Sequence, residues 1–441
     1  MRSREHNEKL RALIGEARWT NHNFALAVNR VALEVGIVLR YDRTAVSHWL
    51  SGSRPRPPVP AFMAQALSRR LGRPVRTADL GVAGDEPADP VAEEPSATTN
   101  LLRLVTADLD PARRTSLHEQ PFRVEWTVAP EWAGGRRPRR AGRHRGAQRG
   151  NAEAVRAMQG AFAAADQAFG GGHARLALAA YLATDVTAWL PGCTGEHRRA
   201  LLGGVTALAY LSGFMCFDDL HHHLAQRYYR AALRLAAEAG DATAHAVVLR
   251  GMSVQAWFLG HYRQAAELAD AAVARMGDAA TPGTRAVALG QAAVAHAALA
   301  RRETALSCLS EAQRWVGRVD GGGRPVERTD RADVAHLTGQ ALALMRAGDR
   351  AEAALRDSLR HRPEAERRSR MLTVHLLAAL QLREGRLEQS CATWQRFLDD
   401  YPRIHSARVD LAFETFQRRL RGHRDNVVVR DALHRAGRLA C

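Results

Sequence analysis

Lysine is nearly absent from this sequence. Lys9 is the one lysine among 63 basic residues in a chain of 441, so arginine carries almost all of the positive charge. A Walker A phosphate loop needs a lysine before its Ser or Thr, and a Schiff-base enzyme needs a lysine nucleophile. Because Lys9 lies in neither context, both classes of enzyme are excluded.

Cysteine and long apolar runs are also scarce. The five cysteines are far apart and none forms a CxxC pair, which argues against a disulfide framework and a zinc ribbon. No uninterrupted apolar run approaches the roughly 18 residues that a membrane-spanning helix requires. Since 46% of the residues are apolar, the chain can bury a large core, and we expect a cytoplasmic protein of at least two units with no membrane segment.

Positive charge is unevenly distributed along the chain, whose net charge is +17. Residues 1–80 carry 14 basic and 6 acidic side chains, and residues 136–149 carry seven arginines and no acid. Residues 81–135 carry 4 basic and 10 acidic side chains. This distribution favours contact with nucleic acid in the first 80 residues. The run Arg136–Arg149 is either an unstructured linker or an arm that touches phosphate.

The pattern of apolar residues divides the chain into three parts. Residues 1–80 form a compact helical domain, 81–150 a linker that is partly disordered, and 151–441 a domain of repeated helices. The linker holds one short helix candidate, LLRLV, and one strand candidate, FRVEWTV. The sequence therefore predicts an all-α protein with an N-terminal helix-turn-helix domain, a flexible linker and a C-terminal α-solenoid.

Repeated turns support the solenoid. Small residues at Gly260, Ala300, Gly348 and Gly385 are spaced by 40, 48 and 37 positions, and each is followed five positions later by another small residue. The first small residue allows a helix to end, and the second allows two helices to approach closely. We therefore expect stacked helical hairpins.

The strongest local pattern lies between Arg43 and Ser51. At 100° per residue this helix has two faces, and Asp42 is its predicted cap. The apolar inner face holds Ala45, Val46, Trp49 and Leu50, and the outer face holds Arg43, Thr44, Ser47 and His48. A helix that reads the major groove needs such a polar outer face. We predict that these four outer residues contact DNA bases.

Contacts to phosphate are predicted around the same helix. Gly52 ends the helix, and Arg54 and Arg56 follow in a proline-rich stretch from which they can bind backbone phosphate. The full predicted set is Thr20, Asn23, Ser51, Arg54 and Arg56. The segment VALEVGIVLRY before Asp42 is longer than the tight turn of the simplest helix-turn-helix, and we expect an elongated second helix or a small wing to fill it.

We assign no catalytic, metal-binding or cofactor-binding role to three polar segments of the repeats. We interpret His221–His223 as a surface cluster at a hairpin end, because consecutive residues on a helix point 100° apart and cannot easily share one ion. Asp218 and Asp219 are predicted to cap helices, and Gly170–Gly172 to form a turn between helices. With no nucleophile–base pair, metal-ligand spacing or cofactor loop, we expect neither an enzyme nor a bound metal or cofactor.

Two segments carry a resemblance to known families. YDRTAVSHWLSGSRPRPP resembles the second half of the lambda-repressor-like helix-turn-helix, and AWFLGHYRQAAELADAA resembles a tetratricopeptide repeat. With FGGGHARLALAAYL and LAQRYYRAALRLAAEAGD, the layout is similar to the helix-turn-helix and tetratricopeptide-like regulators of actinomycetes, which include negative regulators of sporulation and antibiotic production. The similarity extends over most of the chain except 81–135.

This resemblance implies a sequence-specific transcription regulator that binds double-stranded DNA. Its repeats would sense a peptide, a small molecule or a partner protein, and two-fold operators would imply a homodimer. The alternative is a helical-repeat adaptor whose N-terminal domain packs or dimerises without reading DNA sequence.

Overall fold

The computed structural model describes residues 6–82, 96–130, 147–190, 193–318 and 325–439. Within these ranges all regular secondary structure is helical and there is no strand, which confirms the predicted fold class. The strand predicted at FRVEWTV is wrong, because this stretch contains the short 3-10 helix Val124–Thr127. The described residues offer it no strand to pair with, and the backbone of Arg123 instead exchanges two hydrogen bonds with the side-chain amide of Gln226. Of the arginine run Arg136–Arg149, residues 136–146 lie outside the described residues, and Arg149 lies in the first turn of the helix Ala147–Phe169.

The N-terminal domain consists of four helices around a core of its own. These helices are α1 Glu8–Glu16, α2 Asn21–Leu33, α3 Arg43–Leu50 and α4 Val59–Leu71, followed by the 3-10 helix Thr77–Leu80. Their apolar stripes converge on Leu10, Phe24, Val28, Phe62 and Leu67, none of which is accessible to solvent. Asn7 joins the two ends of this domain, since its N–H donates to the Leu50 carbonyl and its amide donates to the Leu80 carbonyl.

Residues 96–130, predicted to be part of a linker, form two helices that pack on the repeats. These are α5 Ala97–Leu109 and α6 Pro111–His118. The buried carboxylate of Asp108 accepts two hydrogen bonds from Arg175, at 2.7 and 2.8 Å, and one from the Tyr228 hydroxyl at 2.8 Å. This stretch therefore belongs to the core of the repeat domain.

The repeat domain is a series of antiparallel helical hairpins. Its first part is α7 Ala147–Phe169, α8 Gly171–Tyr181, a π-helical segment Leu182–Val186, α9 Thr187–Trp189, α10 Gly195–Asp218, α11 His222–Ala239, α12 Ala242–Phe258 and α13 Tyr262–Arg275. Its second part is α14 Pro282–Ala298, α15 Arg302–Val316, α16 Pro325–Leu344, α17 Gly348–His361, α18 Arg367–Arg383, α19 Leu387–Asp400, α20 Ala407–Leu420 and α21 Val427–Leu439. The turn predicted at Gly170–Gly172 is confirmed at Gly170, whereas Gly171 and Gly172 already begin α8.

Five hairpin turns of the repeat domain each contain one residue with a left-handed backbone conformation. The turn residues are Leu220, Gly260, Ala300, Arg346 and Gly385, with φ between 58° and 82°. The residues five positions later, Ala225, Ala265, Ala305, Ala351 and Ser390, are fully buried. The predicted spacing of five positions between the turn residue and a small buried residue is confirmed, but Gly348 is not the turn residue. It begins α17, because the chain reverses two positions earlier at Arg346.

The hairpins curve until the first helix of the repeat domain, α7, meets α18 and the segment before α20. Asp166 at the end of α7 pairs with Arg368 of α18 at 2.8 Å, and the Gln167 amide oxygen accepts from the Ser369 hydroxyl at 2.8 Å. The backbone of His405 donates to the Phe169 carbonyl at 2.7 Å. The inner row of helices thus surrounds an interior space.

One helix among the described residues is long and apolar enough to span a membrane. The most apolar 18-residue window of this helix, α10, has a mean hydropathy of 1.7, but 67% of that window is buried inside the fold. Such burial is typical of the core helix of a soluble protein.

Candidate nucleic-acid interface

Helix α3 begins and ends where the sequence predicts. The Asp42 carboxylate accepts hydrogen bonds from the N–H groups of Thr44, at 2.9 Å, and Ala45, at 3.0 Å. These bonds, that of Ala45 foremost, hold the pKa of Asp42 below its usual value. After α3, Gly52 adopts φ +91° and donates its N–H to the Trp49 carbonyl. A side-chain cap and a left-handed glycine thus fix this short helix.

The inner face of α3 anchors the helix to its domain. Val46, Trp49 and Leu50 are buried. The Trp49 ring packs edge-on against Phe24 at 6.3 Å and against Tyr41 at 5.0 Å between ring centroids. Trp49 is therefore a core residue, as predicted, and does not serve as a base-stacking residue.

The outer face of α3 is open to solvent. Arg43, Thr44, Ser47 and His48 are all exposed. The Ser47 hydroxyl donates to the Arg43 carbonyl at 3.0 Å and accepts from the Asn21 side-chain amide at 3.3 Å. Because its hydrogen is already used, Ser47 can offer a ligand only an acceptor in this arrangement. The Thr44 side chain contributes a hydrogen bond to the Asp42 carboxylate, whereas Arg43 and His48 form no side-chain hydrogen bond among the described residues.

Asn21 extends this surface onto the first turn of α2, a role that the sequence did not reveal. The structure makes Thr20 the cap of α2, since its hydroxyl accepts from the Asn23 N–H at 3.2 Å. Asn21 is thereby placed one residue inside the helix, beside Ser47. No spacing rule joins two residues 26 positions apart, so this pairing becomes visible only in the folded domain.

The five predicted phosphate contacts surround α3, and all are exposed: Thr20, Asn23, Ser51, Arg54 and Arg56. Two of the hydroxyls take part in local bonds, since Thr20 caps α2 and Ser51 donates to the Ser47 carbonyl at 3.0 Å. Within the described part of the chain, neither Arg54 nor Arg56 forms an ion pair. No carboxylate of the described residues therefore compensates their positive charge.

Two glutamates of the N-terminal domain pair with arginines of α4 and of the segment that follows it. Arg69 forms two hydrogen bonds with Glu34, at 2.6 and 2.8 Å, and Arg73 forms two with Glu16, at 3.1 and 2.5 Å. Glu34 and Glu16 therefore each have an arginine partner outside α3.

The connection between α2 and α3 differs from both expected forms. Helix α2 ends at Leu33, Gly36 adopts φ +77°, and the chain continues to Asp42 without regular structure. The Asn29 side chain holds this segment by donating to the Tyr41 carbonyl, at 2.9 Å, and accepting from its N–H, at 3.1 Å. A loop held by one asparagine therefore replaces the predicted longer helix or wing.

The histidine run at the start of α11 is a second polar cluster, and its predicted position on the surface is wrong. His222 and His223 are buried, and burial lowers the pKa of His222 to about 3. His223 Nδ1 donates to the Pro121 carbonyl at 3.2 Å, and its Nε2 accepts from Arg227 at 3.0 Å. The run thus holds the segment after α6 in place. Among the described residues, no three His, Cys, Asp or Glu side chains are grouped as a metal site.

The N-terminal domain matches one known family. Residues 10–83 match the family model described as SP15 N-terminal domain. The match covers the four N-terminal helices and identifies an N-terminal helical domain; its description names neither a helix-turn-helix nor a tetratricopeptide repeat. No curated protein matches the chain.

Proposed function

We propose that this protein is a sequence-specific DNA-binding transcription regulator whose helical repeats sense a peptide, a small molecule or a partner protein. The observation that carries the proposal is the exposed outer face of α3. It presents Arg43, Thr44 and His48 to solvent, while Val46, Trp49 and Leu50 fix the helix from within. An α-helix offered in this way fits the major groove, where arginine can donate two bonds to guanine.

Charge supports the same proposal. The first 80 residues carry 14 basic and 6 acidic side chains, and Glu16 and Glu34 bond to arginines away from α3. Arg54 and Arg56 remain available beside the reading helix. Contacts to phosphate position a protein on DNA, and these arginines can supply them. The neighbouring polar side chains of α3 can reach base edges and so recognise the sequence.

The remaining features of the proposal concern how regulation would work. Each chain offers one reading helix, so recognition of a two-fold operator requires a homodimer. A signal bound by the repeats would change the population of dimers whose spacing fits the operator. We also propose that the protein acts in the cytoplasm.

The proposal is tested by selecting binding sites from a library of random duplex DNA with the full chain. We expect a motif to be enriched, and the Arg43→Ala variant to lose that motif. Arg73→Gln is the matched control, because it also removes one arginine charge from the N-terminal domain but at the Glu16 pair. Enrichment of no motif, or the same motif with Arg43→Ala, would exclude base recognition by α3 and favour the helical-repeat adaptor.

A further inference from the structure

A cavity of about 340 Å³ lies inside the curve of the repeat domain. Helices α7, α10, α12, α14, α16 and α18 contribute its walls. Tyr210, Phe214, Trp257 and Phe258 make one part of the lining aromatic. The volume lies within the range of small-molecule sites, roughly 300 to 1,000 Å³, in which apolar walls surround a few polar groups.

Four arginines line this cavity, and three of them face a carboxylate of the protein. The three ion pairs are Arg362–Asp333 at 2.8 Å, Arg368–Asp166 at 2.8 Å and Arg408–Asp218 at 3.7 Å. A positive charge removed from water is costly unless a negative partner compensates it. For these three arginines the protein supplies that partner.

Arg250 is the exception. Within the described part of the chain, no carboxylate lies within ion-pair distance of its guanidinium, which donates one hydrogen bond, at 2.7 Å, to the Tyr210 hydroxyl. The residue is half-buried and lines the cavity. A guanidinium has five N–H donors in a planar fork suited to carboxylate and phosphate. Although burial opposes it, Tyr210 and then Asp333, the carboxylate partner of Arg362, raise the pKa of Arg250. Since no carboxylate of the described residues bonds to this guanidinium, its remaining N–H donors are available to a ligand in the cavity.

The neighbourhood of Arg250 is rigid. A Cβ atom on the adjacent Gly251 would lie 2.6 Å from the Tyr210 ring, so only glycine lets this ring pack so closely against α12. The Tyr210 ring also lies 5.8 Å from that of Tyr229, which is fully buried. Tyr210 thereby holds the guanidinium in place before any ligand arrives, which lowers the entropic cost of binding.

The cavity also offers a hydrogen-bond acceptor. His336 Nδ1 lies 2.9 Å from the Thr373 hydroxyl, whose hydrogen is donated to the Ser369 carbonyl at 2.8 Å. Nδ1 must therefore be the donor of that pair. Burial lowers the pKa of His336 to about 4, so the ring is neutral at pH 7 and its Nε2 carries a free lone pair.

We propose that this cavity binds a small organic anion, with Arg250 as its charge partner and the aromatic wall as the surface for its flat apolar body. Carboxylate, sulfonate and phosphate groups share the chemistry that Arg250 recognises. A small molecule fits better than a peptide, because the contact of Asp166 with Arg368 closes the groove along which an extended chain would lie. The inference deepens the proposed function, since the cavity becomes the sensory site of the repeats.

Calorimetric titration of the full chain with 2-naphthoate and with 2-naphthamide tests the proposal. The two probes share one shape and differ in charge. We expect naphthoate to bind about tenfold more tightly than the amide, as expected when a partly buried charge gains a partner. Arg250→Gln should remove this difference by weakening naphthoate alone. Arg263→Gln, at an exposed arginine of α13, should leave both affinities unchanged.

Two outcomes would overturn the proposal: equal affinity for the acid and the amide in the natural chain, or an Arg250→Gln variant that still prefers the acid. The first comparison needs no variant, so it stands even where Arg250→Gln fails to fold. Val254→Trp, which fills the cavity without changing charge, should abolish binding of both probes; retained binding would place them elsewhere. No DNA is present in these titrations, so their failure and the failure of the site selection are separate results.

Discussion

Arg69 of α4 donates a hydrogen bond to the Phe122 carbonyl across 3.2 Å. The same guanidinium bonds twice to Glu34, at 2.6 and 2.8 Å, so it is held on the N-terminal side of the contact. On the other side, the Phe122 ring stacks on His261 with centroids 5.2 Å apart and planes at 7°. Phe122 thus joins the N-terminal domain through its backbone and the turn between α12 and α13 through its ring.

This contact predicts that Arg69→Gln loosens the attachment of the N-terminal domain. A hydrogen bond from a charged group contributes about 1.5 to 3 kcal/mol, so amide exchange of residues 120–127 should rise by about tenfold or more. Hydrogen–deuterium exchange with mass spectrometry measures this change. Arg73→Gln is the control, since it breaks a similar arginine–glutamate pair that does not reach this segment. Equal exchange in both variants would show that Arg69 does not hold the domain.

Replacement of Arg43 should change which DNA sequence is preferred. The side chain is exposed, so Arg43→Ala leaves the core of the domain intact. We expect the binding free energy for the selected site to weaken by about 1 to 3 kcal/mol, and the preference at the base pair that Arg43 contacts to relax. Competition between the selected duplex and its single-base variants measures both effects. An unchanged order of preference would move base recognition to other residues.

Replacement of Arg54 should weaken binding to all DNA sequences alike. A contact to phosphate carries no sequence information, but it releases counterions on binding. For Arg54→Ala we therefore expect the slope of log affinity against log salt to fall by about 1, with the preference among sequences retained. Titrations at several salt concentrations test this, and a sequence-dependent loss would mean that Arg54 reads bases.

The faces of α3 could be predicted from the sequence because their causes are local. The cap at Asp42, the period of Val46, Trp49 and Leu50, and the glycine at position 52 all act within a few residues of one another. The structure confirms each of these features. Local rules of capping and helical period are enough to orient such a helix.

Features that depend on tertiary packing could not be predicted in the same way. At the turn before α17 the sequence offers Gly348, yet Arg346 adopts the left-handed conformation and Ala351 packs against the preceding helix. Packing thus overrides the local preference for glycine. Burial of Asp108 in the repeat domain depends on Arg175 and Tyr228, which are 67 and 120 positions away.

Acidification should destabilise the repeat domain through its buried histidines. His222 packs between the rings of Phe217 and Phe258, at 6.0 and 5.9 Å, and burial lowers its pKa from 6.5 to about 3. The unfolded chain therefore binds this proton as the pH falls below 6.5, whereas the folded chain does so only near pH 3. The full contribution of this histidine to the free energy of unfolding is present above pH 6.5, and about 2 kcal/mol of it is lost by pH 5.

Comparison of His222→Phe with the natural chain isolates this contribution. Between pH 7 and pH 5 the melting temperature of the variant should fall less, because it lacks one proton-binding group in the unfolded state. Thermal unfolding followed by circular dichroism measures the difference. The melting temperature of His48→Gln, a change at an exposed position, should fall as much as that of the natural chain. An equal fall in melting temperature for all three proteins would show that His222 does not contribute.

Two glycines of α10 should respond in opposite directions to the same substitution. A Cβ atom on Gly213 would lie 2.7 Å from the Tyr229 ring and 3.2 Å from the Ala225 carbonyl oxygen, both in α11, whereas a Cβ on Gly203 would meet nothing within 4 Å. Tyr229 is fully buried and has no room to move. Gly213→Ala should therefore lower the free energy of unfolding by about 1 to 3 kcal/mol.

Gly203→Ala should instead raise the free energy of unfolding by about 0.5 to 1 kcal/mol, because alanine loses less backbone entropy in a helix than glycine does. Both sites lie in one helix, so helix propensity affects the two variants alike. A difference in the sign of the stability change is then due to the distance between α10 and α11. Thermal or denaturant unfolding of the two variants measures the sign of each change. Stabilisation by both would mean that α10 and α11 are further apart than the packing of Gly213 against Tyr229 requires.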